Sequence, residues 1–212
     1  MNVKYELQNI ISRIGHHTEK NLIEAAAYFI RESQKTSGNT ENEQLSKEQE
    51  AKKLISWINK NQLWFTEHDE DRFIANGAEQ RVFLHTDERF VYKLNDSIFY
   101  ANWLDYFYSL LVHNFFFPST SYELIGFYQK DELLFAVVKQ LFIEITESTN
   151  TDNIKLFLNE NGFQLKKNND YYNPAIGIIL EDLHEENVLT KTEYYFLLIQ
   201  YFIYKNPFSK NN

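Results

Sequence analysis

Residues 72–95 read RFIANGAEQRVFLHTDERFVYKLN, and the fold turns on them. Upstream of Arg72 the apolar residues recur with a helical period. From there they alternate or fall into short runs at Phe73–Ala75, Arg81–Leu84 and Phe90–Leu94, parted by the polar NGAEQ and HTDER. Short apolar runs bounded by turn residues read as strands, so this stretch predicts a three-stranded meander or two hairpins. Residues 98–113 (IFYANWLDYFYSLLVH) return to helical spacing, with Asp96 or Ser97 as the cap. In that helix Phe99, Trp103 and Phe107 recur every four residues, which is core spacing. Strands resume at Tyr122–Tyr128 and Leu133–Gln140 around the tight-turn signal QKDE, with Phe142–Ile145 prolonging the second. The whole predicts a twisted antiparallel sheet of about five strands over residues 72–140, flanked by the 98–113 helix.

Working outward toward the N-terminus, two helices are expected, roughly over 3–14 and 19–34. Gly15-His16-His17-Thr18 interrupts them, and Thr18 suits a cap. Residues 35–46 (KTSGNTENEQLS) are a polar linker. Ser46 and Gln49 stand in capping-box relation ahead of a helix over about 47–61. Leu63, Trp64 and Phe65 pack as a turn, and EHDED (67–71) is a solvated run. Toward the C-terminus, Thr151 caps a helix to Asn159, and residues 160–174 read as mostly loop. Ala175–Leu180 is a short strand, and a turn signal at Lys191-Thr192-Glu193 precedes the apolar run Tyr194–Tyr204. The order is α+β rather than doubly wound, and no repeat stands out.

Composition bounds the function. The chain has 212 residues, 43% of them hydrophobic, which is enough for a sizeable core. Its 21 basic against 30 acidic residues give a net charge of -9, which repels a nucleic-acid backbone. There is no cysteine, so disulfides, thiol catalysis and zinc–thiolate sites are excluded. The six histidines are not spaced as metal ligands, and neither a G-x-S-x-G elbow nor a Walker-type GK[ST] occurs. The start has no signal-peptide pattern, and no apolar stretch approaches the roughly 18 residues that span a bilayer. These features predict a cytoplasmic chain that binds neither nucleic acid nor membrane.

The segment Gly77–Val82 (GAEQRV), the later Val91-Tyr92-Lys93 and the distant LEDLHEENVL (180–189) fall in the order of a protein kinase's glycine-rich loop, phosphate-binding lysine and catalytic loop. Taken with Trp57 on the preceding helix, the stretch from about Leu54 to Tyr201 resembles the kinase-like domains in polyvalent proteins of phages and conjugative elements. The resemblance implies a protein-kinase-like α+β fold with an antiparallel N-lobe sheet, about 66–142, and a much reduced C-lobe, about 143–205. Together they form a domain over 46–212, behind an N-terminal helical segment and linker over 1–45. It implies Lys93 and Asp182 as catalytic residues and Asn187 as the metal ligand. Gly77, Glu79, Val82, Lys93, Gln140 and Phe142 would hold the nucleotide, with Gln140-Leu141-Phe142 at the hinge. His184 would brace the loop, Leu94 would join Val82 over the adenine, and Asp105 or Glu79 would pair with Lys93. Lys93, Asp182 and Asn187 would converge on one cleft beside the segment 175–200.

Bland alternatives stand beside each reading. The alternatives are a strand lysine on a solvated face for Lys93, a turn cap for Asp182, a strand cap for Asn187, a plain hairpin for NGAEQ, and core residues for Val82 and Leu94. The chain also departs from the family pattern. Gln200 stands where the strand after the catalytic loop should end in a magnesium-binding aspartate, and 30 residues follow Asp182. The resemblance therefore implies a pseudokinase or very weak phosphotransferase, with ATP, magnesium and a protein partner. An active atypical ATP-dependent kinase and a protein-interaction domain without nucleotide are the alternatives.

Overall fold

A computed structural model describes residues 3–12, 21–35, 45–67, 69–76, 80–144, 146, 148–181, 183, 187–191, 194–197 and 202–204. The chain divides into two compact units. The first comprises Arg13–Leu111 and Ser121–Phe142; the second comprises Met1–Ser12, Val112–Thr120 and Ile143–Asn212. Among the described residues no helix is long and apolar enough to cross a membrane.

Two helices follow α1 (Val3–Ser12), which belongs to the second unit, and open the first. In α2 (Leu22–Lys35) the side-chain oxygen of Asn21 accepts the N–H groups of Ile23 and Glu24, at 3.1 and 3.3 Å. The cap is therefore Asn21, whereas the expected Thr18 lies outside the described residues. In α3 (Lys47–Asn61) the capping box of Ser46 and Gln49 forms as its spacing predicts. Gln62 ends that helix in the left-handed region, at φ 56°. The chain then runs to the far edge of a sheet. The N–H of Phe65 donates to the carbonyl of Phe127 at 2.7 Å, and the N–H of Phe127 donates to Leu63 at 2.9 Å.

That sheet comprises β1 (Phe73–Asn76), β2 (Gln80–Leu84), β3 (Phe90–Asn95), β4 (Glu123–Lys130) and β5 (Leu133–Leu141). The spatial order is β1-β2-β3-β5-β4, antiparallel throughout, as the period switch at Arg72 predicts. The QKDE turn bends through Asp131 and Glu132, both at positive φ (49° and 66°), which suits the right-handed twist of a hairpin. β5 stops at Leu141, so the expected prolongation over Phe142–Ile145 is not seen in its described residues, 142–144. One face of the sheet buries Phe83, Leu94 and Val137, with Phe65, Tyr92 and Phe135 packed around them.

The helix expected over 98–113 begins later, at Trp103, as α4 (Trp103–Phe116). Neither Asp96 nor Ser97 caps it. Ser97 sits at φ 58°, and the side chains of Asn95 and Asp96 accept the N–H groups of Ser97 and Ile98 instead. Such local bonding offers the backbone an alternative to helix. Asn102 is the cap, accepting the Asp105 N–H at 2.8 Å.

The second unit is built from α1, the end of α4, α5 (Thr151–Glu160) and six short strands. Asn150 rather than Thr151 caps α5, accepting the N–H groups of Asp152 and Asn153. Residues 160–174, read as mostly loop, contain β6 (Gln164–Lys167) and β7 (Asp170–Asn173), joined by Asn168 and Asn169 at φ 49° and 66°. β8 (Ile178–Leu180) lies beside β7. Next come β9 (Val188–Lys191) and β10 (Tyr194–Leu197), which pair as a hairpin. β11 (Phe202–Tyr204) completes the four-stranded sheet β11-β8-β7-β6. The core of this unit gathers Leu7, Val112, Ile154, Leu158, Tyr171, Ile178, Leu180, Leu183 and Val188.

Candidate functional site

The register of the five-stranded sheet decides which residues share a surface, because directly opposed residues point to the same face. Lys93 on β3 lies opposite Val82 on β2 and Val138 on β5, and Val138 lies opposite Leu124 on β4. These four form one row. Strand alternation puts Val91 and Asn95 on the same face as Lys93, and with them Gln140 and Gln80, their opposed neighbours. Val82, Lys93 and Gln140 are thus brought to one face. Leu94 is not: it lies on the opposite face, in the cluster with Phe83 and Val137, and so cannot join Val82 over a common ligand.

Lys93 is 5% exposed, so the alternative of a solvated strand lysine is overturned. Burial pushes its ammonium down to about 8, and no described carboxylate opposes that effect. Asp105, expected as an ion-pair partner, forms no such pair; it lies exposed in the first turn of α4, its N–H bonded to Asn102. Glu79, the other expected partner, lies outside the described residues, as does Gly77. What the structure does place beside the ammonium is an aromatic ring. The Nζ of Lys93 stands 5.5 Å from the ring centroid of Tyr122, itself 5% exposed just ahead of β4. Tyr122 was not singled out from the sequence, where it reads only as the start of a strand.

The residues expected at a hinge follow. Gln140 is 2% exposed beneath the sheet, while Phe142 is 40% exposed and tied to the β2–β3 turn by its N–H, which donates to Arg89 at 2.9 Å. α4 packs on the Lys93 face: its Phe107 lies edge-on to Phe127, 6.4 Å between centroids, and Phe127 is opposite Ala136 in the register of that face. Trp57 of α3 meets the same Phe127 at 6.3 Å. The N-terminus of α4 is held from outside its own segment. The buried Glu50 carboxylate of α3 accepts the Trp103 N–H at 2.7 Å and the Gln34 side-chain amide at 2.9 Å. Lys47 donates to the carbonyls of Ser97 and Tyr100. Desolvation, only partly offset by these bonds, raises the Glu50 carboxyl above its ordinary value.

In the second unit, Asp182 and His184 lie outside the described residues, as does Gln200. Leu183, between Asp182 and His184, is buried in the core, and its N–H donates to the carbonyl of Asn169 in the β6–β7 turn at 3.1 Å. Asn187 is half-buried and immediately precedes β9. β9 in turn is tied to the segment before α5: Thr149 donates its hydroxyl to the Val188 carbonyl, and the Thr146 N–H donates to Thr190. Among the described residues no three His, Cys, Asp or Glu side chains gather as a metal site. Asn187, a neutral amide, is the expected metal-side residue that they include.

A buried ammonium with no carboxylate partner among the described residues, on the third strand of an antiparallel sheet, a helix across its face, and the buried Leu183 and half-buried Asn187 are the features open to comparison with known proteins. No curated protein and no solved structure matches the chain. Residues 47–206 do match the family model described as serine/threonine/tyrosine kinase found in polyvalent proteins, and the chain belongs to that family.

Proposed function

We propose that this domain binds a nucleoside triphosphate through Lys93 and works as a pseudokinase or very weak phosphotransferase that engages a protein partner. In this reading the five-stranded sheet and α4 are the N-lobe of a protein-kinase-like fold, and residues 143–205 are its much reduced C-lobe. The observation that carries the proposal is the buried, unpaired ammonium. Taking such a cation out of water costs several kcal/mol, and no described carboxylate offsets it. A phosphate oxygen would supply the missing charge. Val82 and Gln140, on the same face, would flank the bound base, and Phe142 would border it at the hinge.

Asp182 would orient an acceptor hydroxyl, and Asn187 would offer its amide oxygen to magnesium. Magnesium–ATP, when bound, supplies the transferable phosphoryl group and part of its charge neutralisation. Gln200 supports weak rather than full activity, since a neutral amide is a poorer magnesium ligand than a carboxylate. A cytoplasmic setting fits a chain without cysteine.

The test is calorimetric titration with ATP, with and without magnesium. Binding is expected, and Lys93→Met should weaken it by about tenfold or more, the worth of one charge-assisted contact. No binding at millimolar ATP would leave the protein-interaction reading. Robust turnover that disappears in Asp182→Asn would instead make the domain an active kinase.

A further inference from the structure

We infer that Tyr122 is a positioning residue for Lys93: its ring holds the ammonium at the phosphate-binding position, where no described carboxylate stands beside it. The inference rests on the nucleotide reading for its purpose, though not for its geometry. The Nζ-to-centroid distance of 5.5 Å falls within the range of about 6 Å over which a ring quadrupole attracts a cation. Both side chains are 5% exposed, so little water screens that attraction. The other neighbours in the row are Val82 from β2, Val138 from β5 and Leu124 from β4, none of which titrates. Burial is what moves Lys93, and Tyr122 is the ring that the structure places beside its ammonium; α4, packed on the same face, carries the titratable Asp105, Tyr106 and Tyr108.

A ring and a carboxylate do different things to a lysine. A carboxylate orients the ammonium but also neutralises it, and an arriving phosphate must share the charge. A ring orients the ammonium and leaves it a full positive charge. The site therefore suits a highly charged anion, a nucleoside polyphosphate or inorganic polyphosphate, and Lys93 makes its affinity sensitive to pH. Affinity for such an anion should fall as pH rises past about 8, where the unliganded ammonium loses its proton.

The experiment replaces Tyr122 with phenylalanine and with phenylalanines bearing one, two and three ring fluorines. These leave the shape nearly intact while draining the negative face of the ring. The full chain carries ¹³C at the lysine Cε, and the Lys93 resonance is assigned by its loss in Lys93→Arg and followed through a pH titration. Tyr122→Phe should keep the Lys93 midpoint within about 0.3 unit, and each fluorine should lower it, by about 0.5–1 unit over the series. Tripolyphosphate affinity at pH 7.5 should fall in parallel. A midpoint that stays flat or rises with fluorination overturns the inference. The midpoint is read without any nucleotide. A falling series together with absent ATP binding would therefore sink the nucleotide reading while sustaining the contact.

Discussion

Lys93 is costly to the fold for the same reason that it suits an anion. Its ammonium titrates near 8 in the folded chain against an ordinary 10.5, so between those values the unfolded chain holds more protons. Stability must then rise with pH across that window, and below about 8 the burial penalty is borne in full. The shift corresponds to about 3 kcal/mol. Lys93→Met should therefore stabilise the protein at pH 7 by up to about 3 kcal/mol and flatten the rise in urea midpoint between pH 8 and 10. A destabilised Lys93→Met would show that the ammonium has an acidic partner after all. At the other end of the chain, Gln200→Asp should strengthen the magnesium dependence of ATP binding, and any phosphoryl transfer that it restores should vanish on adding Asp182→Asn. Unchanged magnesium dependence would mean that Gln200 is an ordinary strand residue.

Elements in this protein begin where a local signal is strong, and that is where they were legible. Ser46 and Gln49 stand three residues apart, so the start of α3 was written in one short stretch and formed as expected. The start of α4 was not, because the carboxylate that holds its Trp103 N–H comes from Glu50, 53 residues away. The β6–β7 hairpin was missed for another reason. β6 is exposed along its whole length, so it has no alternation of apolar and polar residues to read, and the Asn168-Asn169 pair was the one available clue. The burial of Lys93 was equally hidden, since the Tyr122 ring beside its ammonium and the α4 helix on its face come from distant parts of the sequence. Glu50→Ala should cost about 2 kcal/mol by stripping an acceptor from the α4 N-terminus, read as a lower urea midpoint. With its pKa raised on folding, Glu50 weakens stability as pH rises from its unfolded value of 4.5 through the folded one, and Glu50→Gln should remove that slope. A cost below about 0.5 kcal/mol for Glu50→Ala would place the control of α4 elsewhere.

At the scale of the whole molecule, the net charge of -9 opposes any polyanion that approaches. Screening shrinks that repulsion, so the association rate of ATP should rise as salt is raised toward 0.15 M, where charges interact over about 8 Å. A rate that falls steeply with salt would reveal a basic patch steering the ligand in. The sheet itself has two flanks, and they are not alike. Along β4 the segment 63–65 lies against the strand so closely that a Cβ on Gly126 would come within 2.8 Å of the Leu63 carbonyl. Gly126→Ala should therefore push that segment away at a cost of about 2 kcal/mol, seen in denaturation. Along β1 the backbone meets no further strand among the described residues, and Phe73 and Ile74 are about half exposed. The two edges of this sheet are thus unequal: β1 is open among the described residues, whereas β4 is met at Phe127 by the 63–65 segment. Within this sheet, two chains joined β1 to β1 would leave outside only their β4 flanks, each met at Phe127 by the 63–65 segment.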